Sequence, residues 1–158
     1  MKIWALHLGL IAALFLAQFV LSPYHTTNLA RIMVLAVFAM GYNLAFGYTG
    51  LLSLGHALLF AAGMYAAGLP AQLWGVTAGP ALILGLLGGG IVAAALGLLA
   101  LRTSGVSFMI VTLMFAQAGY LTVLYHAPIT GGDEGFTIPA ASRMVLGFDL
   151  STDTPRFL

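Results

Sequence analysis

The residues of this chain that could do chemistry are concentrated in one stretch, GYNLAFGYTGLLSLGHALLFAAGMY, residues 41–65. Ser53 and His56 are three residues apart and could meet on one helical face. A serine nucleophile also needs its base to be oriented by a third group, and no carboxylate lies nearby. The sequence also lacks the two histidines and glutamate at one-turn spacing that metalloproteases use. We therefore predict no catalytic residue and no metal site.

The same stretch is interrupted by three glycines within nine residues: Gly47, Gly50 and Gly55. Each glycine weakens a helix by roughly 1 kcal/mol relative to alanine. Irregular backbone at membrane depth is tolerated only where protein buries it or where water runs alongside. Two interpretations follow from the residues alone. Thr49 and Ser53 cap a half-helix that starts near Gly55 beside a solute path, or the segment is a tight loop between two ordinary spans.

The composition places the chain in a membrane. Hydrophobic residues make up 61% and charged residues 6% of its 158 residues, and the mean hydropathy is +1.06. That charge density is far below what a soluble surface needs, so the lipid bilayer is the expected surrounding. A net charge of +1 leaves no basic patch for nucleic acid, and the absence of cysteine excludes thiol chemistry.

Apolar runs separated by turn signals predict an all-α integral membrane protein with about five transmembrane helices, one interrupted or preceded by the glycine-rich break. The predicted segments are 3–21, 31–47, 55–74, 80–100 and 105–125. The first could be a cleaved signal peptide, but its length and the lack of a small-x-small site favour a retained span. We expect a transmembrane region over 1–125 and an extramembrane segment over 126–158.

The basic residues give only a weak orientation signal. Five crossings place Lys2 and Arg102 on one side and the other three arginines on the opposite side. Because Lys2 directly precedes the first span, we expect the N-terminus inside and the TGGDEG loop, residues 130–135, outside.

The fourth segment carries small residues at every fourth position, which puts them on one helical face where another helix can approach closely. These helix-packing candidates are Ala81, Gly85, Gly89, Ala93 and Gly97. The stripe predicts a multi-helix assembly and not a single membrane anchor.

Charge is absent from the middle of the predicted spans, which contain no Asp, Glu or Lys. Carriers coupled to ions or protons usually need an ionisable group at that depth. A secondary transporter is therefore disfavoured, and the energy for any transport would come from a partner. Gln117, in the fifth span, is expected to form an interhelical hydrogen bond.

Three separate motifs carry a family resemblance. NLAFGYTGLLSLGHALLFAAGMYAAGL, residues 43–69, resembles the signature of the branched-chain amino acid type of ABC-transporter permease, G-Y-T-G-x-L-S-L-G-H-A followed by an aromatic residue and G-x-Y. LRTSGVSFMIVTLMFAQ, residues 101–117, resembles that family's segment with a basic residue, G-V-x-F and T-L-x-F-A-Q. TGGDEG resembles its T-G-G-x-x-G loop. All three occur in the family's order and spacing.

The resemblance implies one half of a pore that imports branched-chain or other hydrophobic amino acids across a bacterial-type cytoplasmic (inner) membrane. The implied partners are a second permease subunit, two cytoplasmic ATPase subunits and an extracytoplasmic solute-binding protein. No cofactor is expected in this chain, which lacks a G-x-x-x-x-G-K-S/T phosphate loop. The break then becomes a candidate translocation path, lined by Asn43, Thr49, Gly50, Ser53, Gly55 and His56.

Alternatives remain at this point. Related members of the family move urea or short amides, so the motif does not fix the solute. Permeases of this family are generally about twice as long, and the chain is expected to be either the N-terminal half of one or a truncated product. A noncatalytic membrane scaffold would also explain the small-residue stripe, whereas a membrane-embedded enzyme lacks its catalytic residues.

Overall fold

The structure is a computed structural model that describes residues 8, 9, 11, 14, 16, 21–139, 142, 144, 145, 148 and 149. Its helices are α1 (Pro23–Asn43), α2 (His56–Trp74), α3 (Ala78–Ala100), α4 (Val106–Tyr125) and the short α5 (Ala127–Thr130). A π-helical turn, Leu44–Tyr48, prolongs α1. Two short antiparallel strands follow, β1 (Met144–Val145) and β2 (Phe148–Asp149), with Val145 opposite Phe148. The described chain is otherwise helical, which confirms the predicted all-α class.

Within the described residues, four helices are long and apolar enough to cross a membrane, with mean hydropathies between 1.3 and 2.4. Their large apolar side chains point outward; Leu86 of α3, for example, is 76% exposed. Such a surface suits a hydrocarbon environment and would be unstable in water. Most of the predicted first segment, 3–21, lies outside the described residues, which include only residues 8, 9, 11, 14, 16 and 21 of it.

The predicted segments 55–74, 80–100 and 105–125 agree with α2, α3 and α4 to within two residues. The predicted start of the second segment at residue 31 is wrong, because α1 begins at Pro23 and Arg31 is an exposed residue within it. Ser22 has extended backbone angles, and proline at the first helical position has no N–H that would need a partner. The helix therefore starts where proline allows it and not at the first charged residue.

Glycines allow α2 and α3 to pack closely as an antiparallel pair. A Cβ added at Gly88 would lie 2.3 Å from the Cβ of Ala66, and one at Gly85 would lie 3.0 Å from the carbonyl oxygen of Gly63. At Gly89 an added Cβ would lie 3.3 Å from the Cα of Gly63. The two backbones approach so closely here that there is no room for larger side chains.

The segment after α5 folds back onto the C-terminal half of α2, away from the break. The ring of Phe136 fills the space that a side chain at Gly68 would need, and its centroid lies 5.4 Å from that of Tyr65. The hydroxyl of Ser142, which is buried, donates a hydrogen bond of 3.0 Å to the carbonyl of Ala71. Part of the segment predicted to be extramembrane is thus packed against a membrane helix.

The TGGDEG loop has a defined conformation. Gly131, Gly132 and Gly135 all have positive φ angles, which glycine adopts without strain. The Tyr120 hydroxyl donates a hydrogen bond of 3.0 Å to Oδ1 of Asp133. Both acidic side chains of the loop are exposed, as expected for a solvated loop tip.

We expect Gly88→Ala to destabilise the protein by about 1–3 kcal/mol, because the new methyl group would overpack the contact with Ala66. The matched control is Gly90→Ala on the same helix, where nothing lies within 4 Å of the added Cβ. Unfolding midpoints of both variants in detergent micelles measure the difference. Equal midpoints would contradict the close α2–α3 packing.

Candidate functional site

The glycine-rich break between α1 and α2, residues 49–55, forms one wall of a cavity of about 230 Å³. Ser53, Gly55 and His56 come from the break and the first turn of α2. Ala93 and Gly97 come from α3. The remaining residues are mostly leucines and aromatics from α2, α3, α4, the π-helical turn and the connections between helices: Ala45, Leu51, Leu58, Leu59, Leu96, Ala100, Leu101, Phe108, Thr112 and Phe115. The cavity is therefore apolar with a few hydrogen-bonding groups.

The His56 side chain lies among aromatic rings of α1. Its ring centroid is 5.1 Å from that of Phe38 and 5.4 Å from that of Tyr42. A Cβ added at Gly41 would lie 3.6 Å from Nε2 of His56, so the histidine approaches the α1 backbone closely at this point. These contacts join α1 to the start of α2 and hold the imidazole in a fixed orientation at the cavity wall.

The break is also tied to α4, through Thr112. The backbone N–H of Leu54 donates a hydrogen bond of 3.1 Å to the Thr112 hydroxyl, which donates one of 3.0 Å to the carbonyl of Met109. A Cβ added at Gly55 would lie 2.2 Å from the Thr112 carbonyl oxygen. Glycine at position 55 therefore lets the break lie directly against the α4 backbone.

Three of the predicted path residues lie outside the cavity lining. Asn43 is the last residue of α1, is exposed, and has its side chain over Gly47. The Thr49 hydroxyl is exposed and donates a hydrogen bond to the Ala45 carbonyl. Gly50 has a φ of +69° and nothing within 4 Å of where its Cβ would be. The structure thus brings Ser53, Gly55 and His56 together at the cavity. Asn43, Thr49 and Gly50 lie on the exposed side of the break.

The predicted half-helix with hydroxyl caps is wrong. Helix α2 is 19 residues long, its N-cap is Gly55, and no side chain caps it. Thr49 closes the π-helical turn instead, because its hydroxyl reaches back to Ala45. The break therefore precedes a full-length helix and does not interrupt one.

The small residues along one face of α3 lie in two different surroundings. Ala81 and Gly85 are buried, and Gly85 and Gly89 lie against α2. Ala93 and Gly97 lie further along the helix, at the cavity, and Gly97 has open space where a Cβ would be. One end of the stripe thus brings helices together, and the other end leaves volume free.

Sequence reasoning missed the contribution of α4 to this site. Phe108, Thr112 and Phe115 line the cavity, and Phe108 and Thr112 are buried. A signal was present, because all three belong to the second motif, GVSFMIVTLMFAQ. Nothing in the sequence indicated that this motif meets the first one. Gln117 of the same motif is exposed on α4.

The chemistry available at the cavity is limited to hydrogen bonding and apolar contact. Its lining holds two hydroxyls and one imidazole but no carboxylate or amine. No group of three or more metal-ligating side chains occurs among the described residues. Pockets for drug-sized ligands usually span about 300 to 1,000 Å³, so this smaller space suits a small and mostly apolar solute.

The described residues thus form a multi-pass helical membrane protein with a small apolar cavity beside a glycine-rich connection. Residues 25–154 match the family described as branched-chain amino acid transport system / permease component, and the chain belongs to this family. This match confirms the family resemblance that the three motifs carry.

The chain is similar to the high-affinity branched-chain amino acid transport system permease protein LivM of Salmonella typhimurium. The two are 34% identical over an alignment of 125 positions, which covers 76% of this chain and 28% of the relative. The chain thus matches less than a third of that relative's length. No solved structure matches the chain.

We expect Gly55→Ala to destabilise the packing of the break on α4 by about 1–3 kcal/mol, because the methyl group would collide with a backbone carbonyl that cannot rotate away. Gly97→Ala is the control, since it adds the same group to the same cavity where space is open. Chemical unfolding of both variants in micelles measures the difference. A Gly55→Ala protein as stable as the control would contradict the contact.

Proposed function

We propose that the chain is a membrane permease subunit of an ATP-driven importer for branched-chain or other hydrophobic amino acids. Its transmembrane part is residues 1–125, and residues 126–158 form an extramembrane segment, part of which folds back onto the C-terminal half of α2. It acts in a cytoplasmic (inner) membrane of bacterial type. Its partners are a second permease subunit, two cytoplasmic ATPase subunits and an extracytoplasmic solute-binding protein.

The observation that carries this proposal is the convergence of two family motifs on one cavity. Ser53 and His56 of the first motif and Phe115 of the second line the same 230 Å³ space. A leucine-like solute combines a branched aliphatic side chain with polar ends, and this lining offers apolar walls with a few hydrogen-bonding groups. We assign Ser53, Gly55 and His56 to the wall of the translocation path.

Asn43, Thr49 and Gly50 remain part of the proposed path, although they lie on the exposed side of the break and not at the cavity. They are exposed and lie next to the cavity residues in the chain. In a complete transporter such positions would face either the path as it opens or the second permease subunit. Energy would come from the ATPase partners, since the spans offer no acidic residue for ion coupling.

The proposal is tested by uptake of labelled leucine and labelled urea in cells that carry the complete set of transporter genes, with and without this one. We expect leucine uptake to disappear when this gene is deleted and to return on complementation, while urea uptake stays unchanged. Dependence of urea uptake alone would instead assign the urea or short-amide function. Dependence of neither would favour a scaffold and refute the proposal.

Within this system we expect Ser53→Ala to raise the KM for leucine uptake by about tenfold, the factor that corresponds to one lost hydrogen bond at roughly 1.4 kcal/mol. Ser107→Ala is the matched control, because Ser107 is exposed on α4 and does not line the cavity. Initial uptake rates over a range of leucine concentrations give both KM values. Equal values would remove Ser53 from the translocation path.

A further inference from the structure

We propose that Thr112 is the positioning residue of this site, which fixes the break against α4 so that Ser53 and His56 keep their places at the cavity wall. The inference rests on the proposed function for its effect on transport, but not for its structural content. It also gives the second sequence motif a role, since Thr112 begins the T-L-x-F-A-Q segment.

The first step is the hydrogen-bond arrangement of the Thr112 hydroxyl. Its proton is directed to the Met109 carbonyl at 3.0 Å, so a lone pair is free to accept the Leu54 N–H at 3.1 Å. Thr112 is 7% exposed, and the hydrogen bond that it accepts from Leu54 is partly buried, where an N–H without a partner is costly. Thr112 therefore supplies the acceptor that the interrupted backbone needs.

The second step is the contact on the other side of the same residue. The carbonyl oxygen of Thr112 lies where a side chain at position 55 would be, so Gly55 rests on the α4 backbone. Leu54 and Gly55 are thus both held by one residue, and they lie directly between Ser53 and His56. A shift of the break along α4 would break both contacts together.

The third step separates this role from ordinary threonine packing in helices. Thr122, on the same helix, donates its hydroxyl to the Ala118 carbonyl at 2.8 Å within α4. Such a bond pairs the hydroxyl with a carbonyl of its own helix and connects no other segment to α4. Thr112 forms the equivalent local bond and, in addition, accepts a bond from a residue 58 positions earlier.

The absence of cysteine from the chain makes single-cysteine labelling a direct test. In the Ser53→Cys protein in membranes, the rate of reaction with a water-soluble maleimide reports how firmly the break is held. We expect Thr112→Val, which keeps the shape but removes the acceptor, to raise this rate at least about fivefold, the factor that corresponds to a hydrogen bond of about 1 kcal/mol. Thr112→Ser, which keeps the hydroxyl, and Thr122→Val should leave the rate unchanged.

Two labelling outcomes would overturn the proposal. An unchanged rate in Thr112→Val would show that the hydroxyl does not hold the break. An equal rise in Thr112→Val and Thr112→Ser would show that the packing of the whole threonine side chain, and not its hydrogen bond, holds the break.

A second measurement needs no Thr112 variant and therefore remains decisive if Thr112→Val does not fold. In the unmutated protein, the Leu54 amide should exchange with deuterium at least about tenfold more slowly than the Leu52 amide, which donates no hydrogen bond within the described residues. Equal exchange of the two amides would overturn the proposal.

The transport readout distinguishes positioning from general damage. We expect Thr112→Val to raise the KM for leucine while kcat stays within about twofold of the unmutated value, because misplaced binding groups weaken solute binding first. Thr112→Ser should restore the KM, and an unaltered KM in Thr112→Val would overturn the proposal. If the unmutated protein moves no leucine, the proposed function fails, and labelling and exchange still decide the role of Thr112.

Discussion

The break between α1 and α2 is where the chain leaves regular helix, so its backbone N–H groups need partners that a helix would otherwise supply. On the α1 side, the Gly50 N–H donates a hydrogen bond to the Phe46 carbonyl of the π-helical turn. The Leu51 N–H donates one to the Ala45 carbonyl of the same turn. On the α2 side, the N–H of Leu54 reaches Thr112 of α4. The irregular backbone is therefore supported from two helices, and the cavity forms along it.

The glycines around the break have distinct physical roles. Gly55 is required by a close approach, since the α4 carbonyl occupies the place of its side chain. Gly50 is required by its backbone angle, with φ at +69° and open space around it. The glycines of α3 differ again: Gly85 and Gly89 bring α2 and α3 together, whereas Gly97 keeps volume free at the cavity. The site depends on this combination of tight contact and open space.

Much of the fold could be predicted from the sequence because a membrane span has a strong and local signal. Twenty apolar residues between turn residues predict a helix without knowledge of its neighbours, and α2, α3 and α4 were located in this way. The start of α1 does not follow from charge, because Arg31 is an exposed residue within the helix. The predicted hydroxyl caps are wrong because no side chain caps α2 and Thr49 instead donates its hydroxyl to the Ala45 carbonyl of the π-helical turn.

The sequence by itself determined the membrane environment, the helical class, the family and the segment in which the polar site residues lie. Each follows from composition or from motifs that are contiguous in the chain. Only the tertiary structure decided that Ser53, Gly55 and His56 share a cavity with Phe108, Thr112 and Phe115, while Asn43, Thr49 and Gly50 remain outside it. The physical reason is that the Leu54–Thr112 hydrogen bond joins residues 58 positions apart, and its partners are set by helix packing and not by local sequence.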